Sequence, residues 1–200
     1  MKLLFLDTET TGVDPLKNGI IQIAGIVDIN GQIVEEFNLK CRPFPGQIYT
    51  AEALKVTGTT VEEIKNYPDP KEAYQKIQAI FNKYINRYDK NDKFTMVGQN
   101  TKFDYDFMTV FFQNNYDKFF YAYVAYHLVD LVNASALFKM AGKISVPNMK
   151  LETMAKCFGI TLNAHDALED IRATRQILYK FVECIKSIPD ELFVPKEVAA

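Results

Sequence analysis

The order of apolar runs predicts an α/β fold, a mixed sheet with helices packed on it. Three observations carry this. Strand-like runs come first, and the second and third are joined by Asn30-Gly31, the strongest short hairpin signal. Helical and strand-like runs alternate after residue 50, and the stretch from Leu131 onward reads as helices.

Lys2–Asp7 is the first expected strand. Its apolar run ends at Leu6, too short for the apolar core of a signal peptide. Ile20–Ile29 is apolar and β-branched, and Gln32–Lys40 returns beside it, giving an antiparallel meander. Thr50–Val56 and Val61–Lys65 are short helix candidates. Lys71–Tyr88 carries Tyr74, Ile77, Ile80, Phe81, Tyr84 and Ile85 at helical spacing. Phe94–Val97 reads as a short strand ending at Gly98. Phe103–Asn114 reads as a helix with Asn100 or Thr101 as its cap, and Ala122–Leu128 as a further strand. Helices are expected at Leu131–Met140, Met149–Phe158 and Asp166–Ile188. The loops Arg42–Gly46 and Asn66–Pro70 are too short to separate domains. Residues 1–188 are therefore expected to form one domain and 189–200 a C-terminal tail. The tail's Leu192-Phe193 pair is expected to pack on its own domain, with docking on a partner as the other use.

With 48% hydrophobic residues, 15 Phe and 11 Tyr, the chain can bury a full core without tryptophan. A net charge of -2 excludes coating of nucleic acid by bulk charge. It leaves room for a short grip on a strand, where bound metal ions supply the local positive charge. Cys41, Cys157 and Cys184 are odd in number and form no CxxC pair, so a reduced, cytoplasmic protein without a zinc site is expected. No apolar run approaches the length of a membrane span.

The chemistry lies in three groups of carboxylates. Asp7 and Glu9 alternate on a strand and so share one face, at the end of a run that reads as buried. Charges there are costly unless paired or metal-bound. Asp104 falls in the first turn of its helix, on the side of the apolar Met108 and Phe111, whereas Asp106 points elsewhere. His165 and Asp170 lie about 140° apart on a continuous helix and would diverge. Asp166 and Glu169, however, resemble a capping box that starts the helix near Asp166. His165 is then a loop residue able to swing toward a site lined by Asp170. Ala167, Ala173 and Thr174 are small enough to let that helix approach the sheet. Each group alone has a plain structural reading: charges facing water, a favourable helix N-terminus, an ordinary helix start.

Taken together, Asp7-Thr8-Glu9-Thr10-Thr11-Gly12, Asn100 to Phe103-Asp104, and His165 to Asp170 resemble the three motifs of the DEDDh exonucleases. That group within the ribonuclease H-like fold includes the epsilon proofreading subunit of bacterial DNA polymerase III, RNase T and oligoribonuclease. The resemblance spans residues 7 to 170. It implies two divalent cations, Mg²⁺ or Mn²⁺, bound by Asp7, Glu9 and Asp170 directly and by Asp104 partly through water. It makes His165 the general base. It also implies substrate contacts at Thr10 and Thr11, at Asn100, and at Leu54 and Thr57 of Ala53–Thr60, although family members often have His where this chain has Thr57. The expected function is 3′-to-5′ hydrolysis of a nucleic-acid end, single-stranded DNA first. An exoribonuclease on short RNA and a catalytically silent binding module are the alternatives. A DNA polymerase subunit or a second copy of the chain are the expected protein partners, and no membrane is. His127, in an apolar-aromatic stretch, reads as structural, and the aromatic run Phe111–Tyr126 reads as core with a base-stacking platform as the lesser use.

Overall fold

A computed structural model describes residues 1–162 and 166–189. One five-stranded sheet runs in the order β3-β2-β1-β4-β5. Its strands are β1 Lys2–Thr10, β2 Ile20–Ile29, β3 Gln32–Lys40, β4 Thr95–Gly98 and β5 Val129–Asp130. The helices are α1 Ala51–Thr57, α2 Val61–Lys65, α3 Pro70–Tyr84, α4 Thr101–Asn114, α5 Leu131–Met140, α6 Leu151–Cys157 and α7 Ala167–Lys186. The mixed sheet has the expected α/β architecture, with β1–β2–β3 antiparallel and β1–β4–β5 parallel.

β1 is central, and its two faces are covered separately. Leu4 and Leu6 enter the larger core with Ile77 and Phe81 of α3 and Phe107, Met108 and Phe111 of α4. Leu3 and Phe5 face the other way, onto Ile171 and Leu178 of α7. Asn30 and Gly31 both have positive φ, 54° and 87°, as the tight turn between β2 and β3 demands. Next to that turn, the buried Asp28 accepts from Gly31 N at 2.8 Å, Arg175 Nε at 2.8 Å and Tyr179 Oη at 3.0 Å. Arg172 grips Glu36 of β3 through Nε and Nη2. These ties hold the later turns of α7 at the start of β1, because Lys2 pairs with Ile29. The first turn of α7 therefore lies at the end of β1.

Three expectations need correction. β1 continues past Asp7 to Thr10, because Asp7 and Glu9 still pair with Ala24 and Gln22. α3 stops at Tyr84 rather than Tyr88: Ile85 turns extended and is buried, and Lys2 Nζ takes the Tyr84 carbonyl at 2.7 Å. Residues 122–128 are not a strand. Phe120–Ala122 is a 3₁₀ turn, Val124 touches the sheet through a single bridge to Phe94, and β5 comes later. The buried rings there, Phe120 and Tyr123, are three apart, the period of a 3₁₀ turn and not of a strand.

Candidate active site

Three elements meet at the carboxyl end of β1. Alternation along the strand puts Asp7 and Glu9 on the face covered by α7, in line with Leu3 and Phe5. Asp170 reaches that end from the first turns of α7. The start of α7 is set by Asp166, whose Oδ1 accepts from Leu168 N at 2.9 Å and Glu169 N at 3.3 Å. The other half of the expected capping box is absent, because Glu169 turns to Arg172 at 2.6 Å. Ala167, Ala173 and Thr174 are buried, which permits the close approach to the sheet.

Asp104 arrives from α4 on the other side and is buried. Its Oδ1 accepts from both Thr8 N at 2.9 Å and Thr8 Oγ1 at 2.7 Å. Asp106 pairs with Lys102 one turn away and stays off this face. The expected side-chain cap of α4 is replaced. Asn100 stands at the cap position in the left-handed region, φ 63°, with no side-chain hydrogen bond. Asp130 takes over from β5, accepting from Thr101 N at 3.1 Å and Asn100 N at 3.3 Å, and it caps α5 at Val132 N as well.

The electrostatics follow from crowding. Burial, and then the neighbouring Asp104, Glu9 and Asp170, hold the Asp7 carboxyl well above the usual carboxylate range. Burial pushes Asp104 up to about 7 against the two Thr8 donors, with Glu9 adding to the rise. Four carboxylates from the three sequence motifs thus feel one another. Among the described residues they do not close as three ligands around one point, so their fit to a cation is one of donor type and charge. His165 lies outside the described residues. His127 is exposed, its ring against that of Tyr126.

A family model described as exonuclease, of the RNase T type, matches residues 4–178. The chain belongs to this exonuclease family. It is 27% identical over 184 residues to the PolC-type DNA polymerase III of Thermotoga petrophila, covering 92% of this chain and 12% of the polymerase. To the PolC-type polymerase of Mycoplasmopsis pulmonis it is 32% identical over 109 residues, 54% of this chain and 7% of that one. The chain thus spans a small part of these polymerases' length. Escherichia coli exonuclease I, in complex with a dA16 oligonucleotide, superposes with a TM-score of 0.75 at 22% identity, covering 92% of this chain and 41% of that chain. Exonuclease I of Methylocaldum szegediense gives 0.77 at 23% identity, with 96% and 42% covered. The fold is ribonuclease H-like.

Within this exonuclease-family chain, the other expected contacts are placed as follows. Thr10 and Thr11 are buried and their hydroxyls are spent inside the loop: Thr10 donates to Gly12 O at 2.7 Å, and Thr11 donates to Ile48 O at 2.7 Å while accepting from Gly19 N at 2.9 Å. Gly12 is required by close approach, since a Cβ there would stand 2.4 Å from the Asn18 side chain. Leu54 and Thr57 are half-buried on α1, a helix that buries none of its residues and packs beside β1. Sequence reasoning missed Thr8, which looks like a spacer between Asp7 and Glu9, and Asp130. A β-branched hydroxyl facing away from the two acids was the available signal for Thr8. Asp130 gave one as well, an Asp directly before a helical run. Among the described residues no helix is long and apolar enough to cross a membrane.

Proposed function

We propose that this chain hydrolyses the terminal phosphodiester at the 3′ end of single-stranded DNA, releasing nucleotides one at a time. The observation that carries this is the gathering of Asp7, Glu9, Asp104 and Asp170 at one end of β1, in a chain of an exonuclease family. Four oxygen-donor side chains, of which burial and the neighbouring acids hold Asp7 and Asp104 against their charge, suit hard divalent ions, Mg²⁺ or Mn²⁺, more than zinc. Such ions supply positive charge for the phosphate and help to place the nucleophile. Asp7, Glu9 and Asp170 are the direct ligands in this reading. Asp104, tied by one oxygen to Thr8, keeps its other oxygen for a ligand or a water. His165 takes the proton of the attacking water, a role suited to an imidazole with an ordinary pKa near 6.5. The bond from phosphorus to the 3′ oxygen of the preceding nucleotide then breaks, leaving a shortened strand.

The choice of DNA draws support from a fold neighbour, exonuclease I, known in complex with a DNA oligonucleotide. The PolC-type relatives support work beside a DNA polymerase. The test is degradation of end-labelled single-stranded DNA, duplex DNA and short RNA with Mg²⁺, Mn²⁺ or EDTA. Loss of label from the 3′ end of single-stranded DNA, abolished by EDTA, is the expected result. Preferred digestion of RNA replaces the substrate, and undiminished cleavage in excess EDTA overturns the metal reading.

A further inference from the structure

We infer that a strip of two exposed rings edged by partly buried cations beside α4 is a second contact for single-stranded nucleic acid, separate from the carboxylate cluster. The inference rests on the reading of this chain as a nuclease of single strands. The aromatic run after α4 divides in two. Phe111, Phe112, Phe120 and Tyr123 are buried. Phe119 and Tyr121 are 50% and 55% exposed, their ring centroids 5.9 Å apart at 67°. The Arg87 guanidinium lies 5.7 Å from the Phe119 ring, and Lys93 Nζ lies 5.7 Å from the Tyr121 ring. Two exposed rings are therefore edged on one side by Lys93 and on the other by the Asp117-paired Arg87, whose side chain is 21% exposed.

Hydrogen bonds hold the strip in place. Phe119 N donates to Asp117 Oδ1 at 2.9 Å, Ala122 N to Phe119 O at 2.8 Å, and Lys93 Nζ to Tyr121 O at 2.6 Å. Asp117 also binds Arg87 and Tyr74, so Arg87 is a braced edge more than a spare charge. Lys93 has no carboxylate partner among the described residues and is the cation available to a phosphate. Bases stack on any aromatic face and phosphates seek cations, so this arrangement suits a single strand. Lys93 lies just before Thr95, which pairs with Leu3 at the start of β1, so the strip stands toward the end of the sheet away from the carboxylate cluster. Phe120 packs against Tyr105 at 5.3 Å, and Tyr105 follows Asp104 on α4. A single strand whose end lies in the cluster reaches the strip only by running back along α4 from Asp104, so a long strand and not a dinucleotide engages it.

The test compares the unmodified chain with Phe119→Ala/Tyr121→Ala and with Lys93→Gln. Binding of an oligothymidylate of about 16 nucleotides is followed by fluorescence anisotropy in EDTA, where hydrolysis is suppressed. Hydrolysis of a thymidine dinucleotide is followed separately with Mg²⁺. The double variant is expected to bind the long strand at least about tenfold more weakly. Lys93→Gln is expected to weaken it less and to flatten its salt dependence. Dinucleotide hydrolysis and melting temperature are expected to stay unchanged. The inference is overturned if the unmodified chain does not hold the long strand in EDTA, if the double variant binds it equally well, or if long-strand binding and dinucleotide hydrolysis fall together. If the unmodified chain hydrolyses nothing, the catalytic reading fails while the binding arm still judges the strip.

Discussion

Thr8 gives Asp104 two hydrogen bonds to a single oxygen, one from its backbone N–H at 2.9 Å and one from its hydroxyl at 2.7 Å. The residue between the two acids of β1 thereby fixes the acid contributed by α4. Strand alternation makes this possible: Asp7 and Glu9 face α7, and Thr8 faces α4. The three motifs are joined through this residue as well as through shared charge.

Thr8→Val keeps the branched shape and the N–H and removes the hydroxyl. A hydrogen bond to a charged group is typically worth about 1.5–3 kcal/mol. Turnover on single-stranded DNA is expected to fall roughly 10- to 100-fold if most of that loss is felt in the placing of Asp104. Thr8→Ser is expected to restore most of it, with KM little changed in both. Wild-type turnover in Thr8→Val would show that the hydroxyl does not set the acid's position.

Asp104 and Asp106 are separable by charge removal. Asp104 is buried and bound to Thr8, whereas Asp106 is partly exposed and paired with Lys102 one turn back. Asp104→Asn is expected to abolish cleavage. Asp106→Asn removes a surface pair worth a few tenths of a kcal/mol and is expected to leave activity nearly intact. Steady-state rates of the two variants decide this, and the opposite ranking would remove Asp104 from the site.

Much of this was legible in the sequence because it depends on period. The meander, the hairpin at Asn30-Gly31, the shared face of Asp7 and Glu9, and the divergence of Asp104 from Asp106 all follow from alternation or helical spacing. What was not legible depends on contacts between distant residues. Asp130 caps α4 from another strand, 29 residues after Thr101. Lys2 ends α3 from the start of the chain. The segment before β5 is rich in rings that favour strands, yet burial of Phe120 and Tyr123 at three-residue spacing bends it into a 3₁₀ turn.

His165 is expected to serve the reaction and not the assembly of the site. It stands immediately before Asp166, the residue that caps α7, and five residues before Asp170. General-base assistance is typically worth about 10²–10⁴ in rate. His165→Ala is expected to lower turnover by that order while calorimetric binding of Mn²⁺ changes little. Loss of metal binding with an unchanged rate at saturating metal would make His165 a ligand or a structural residue instead.

The carboxylate cluster is also expected to cost the metal-free protein stability as pH rises. Burial pushes the folded Asp104 carboxyl up to about 7 and, with the neighbouring acids, raises that of Asp7 well above its ordinary 3.8. Between those values the folded state still holds protons that the unfolded chain has released. Their contribution to stability is full below the unfolded pKa and is lost as pH climbs through the folded one. Carboxylates of the opposite kind, such as Asp92, which accepts from Asn86 N and Lys2, and Glu35 beside Lys83, are held below their usual range. Their contribution is lost only as pH falls below that window, so they do not mask the effect. In EDTA the melting temperature is therefore expected to drop between about pH 5 and pH 8. Asp104→Asn removes a buried charge while keeping the shape of the side chain, and is expected to flatten the profile. At the alkaline end it is expected to raise the melting temperature by roughly 2–4 °C for each kcal/mol relieved. Saturating Mg²⁺ is expected to raise the melting temperature of the unmodified chain at the same pH, since an ion that binds only the folded state stabilises it. Differential scanning calorimetry across this range checks all three. A melting temperature that rises with pH in EDTA, unchanged by Asp104→Asn, would mean that the carboxylates are not held against their charge.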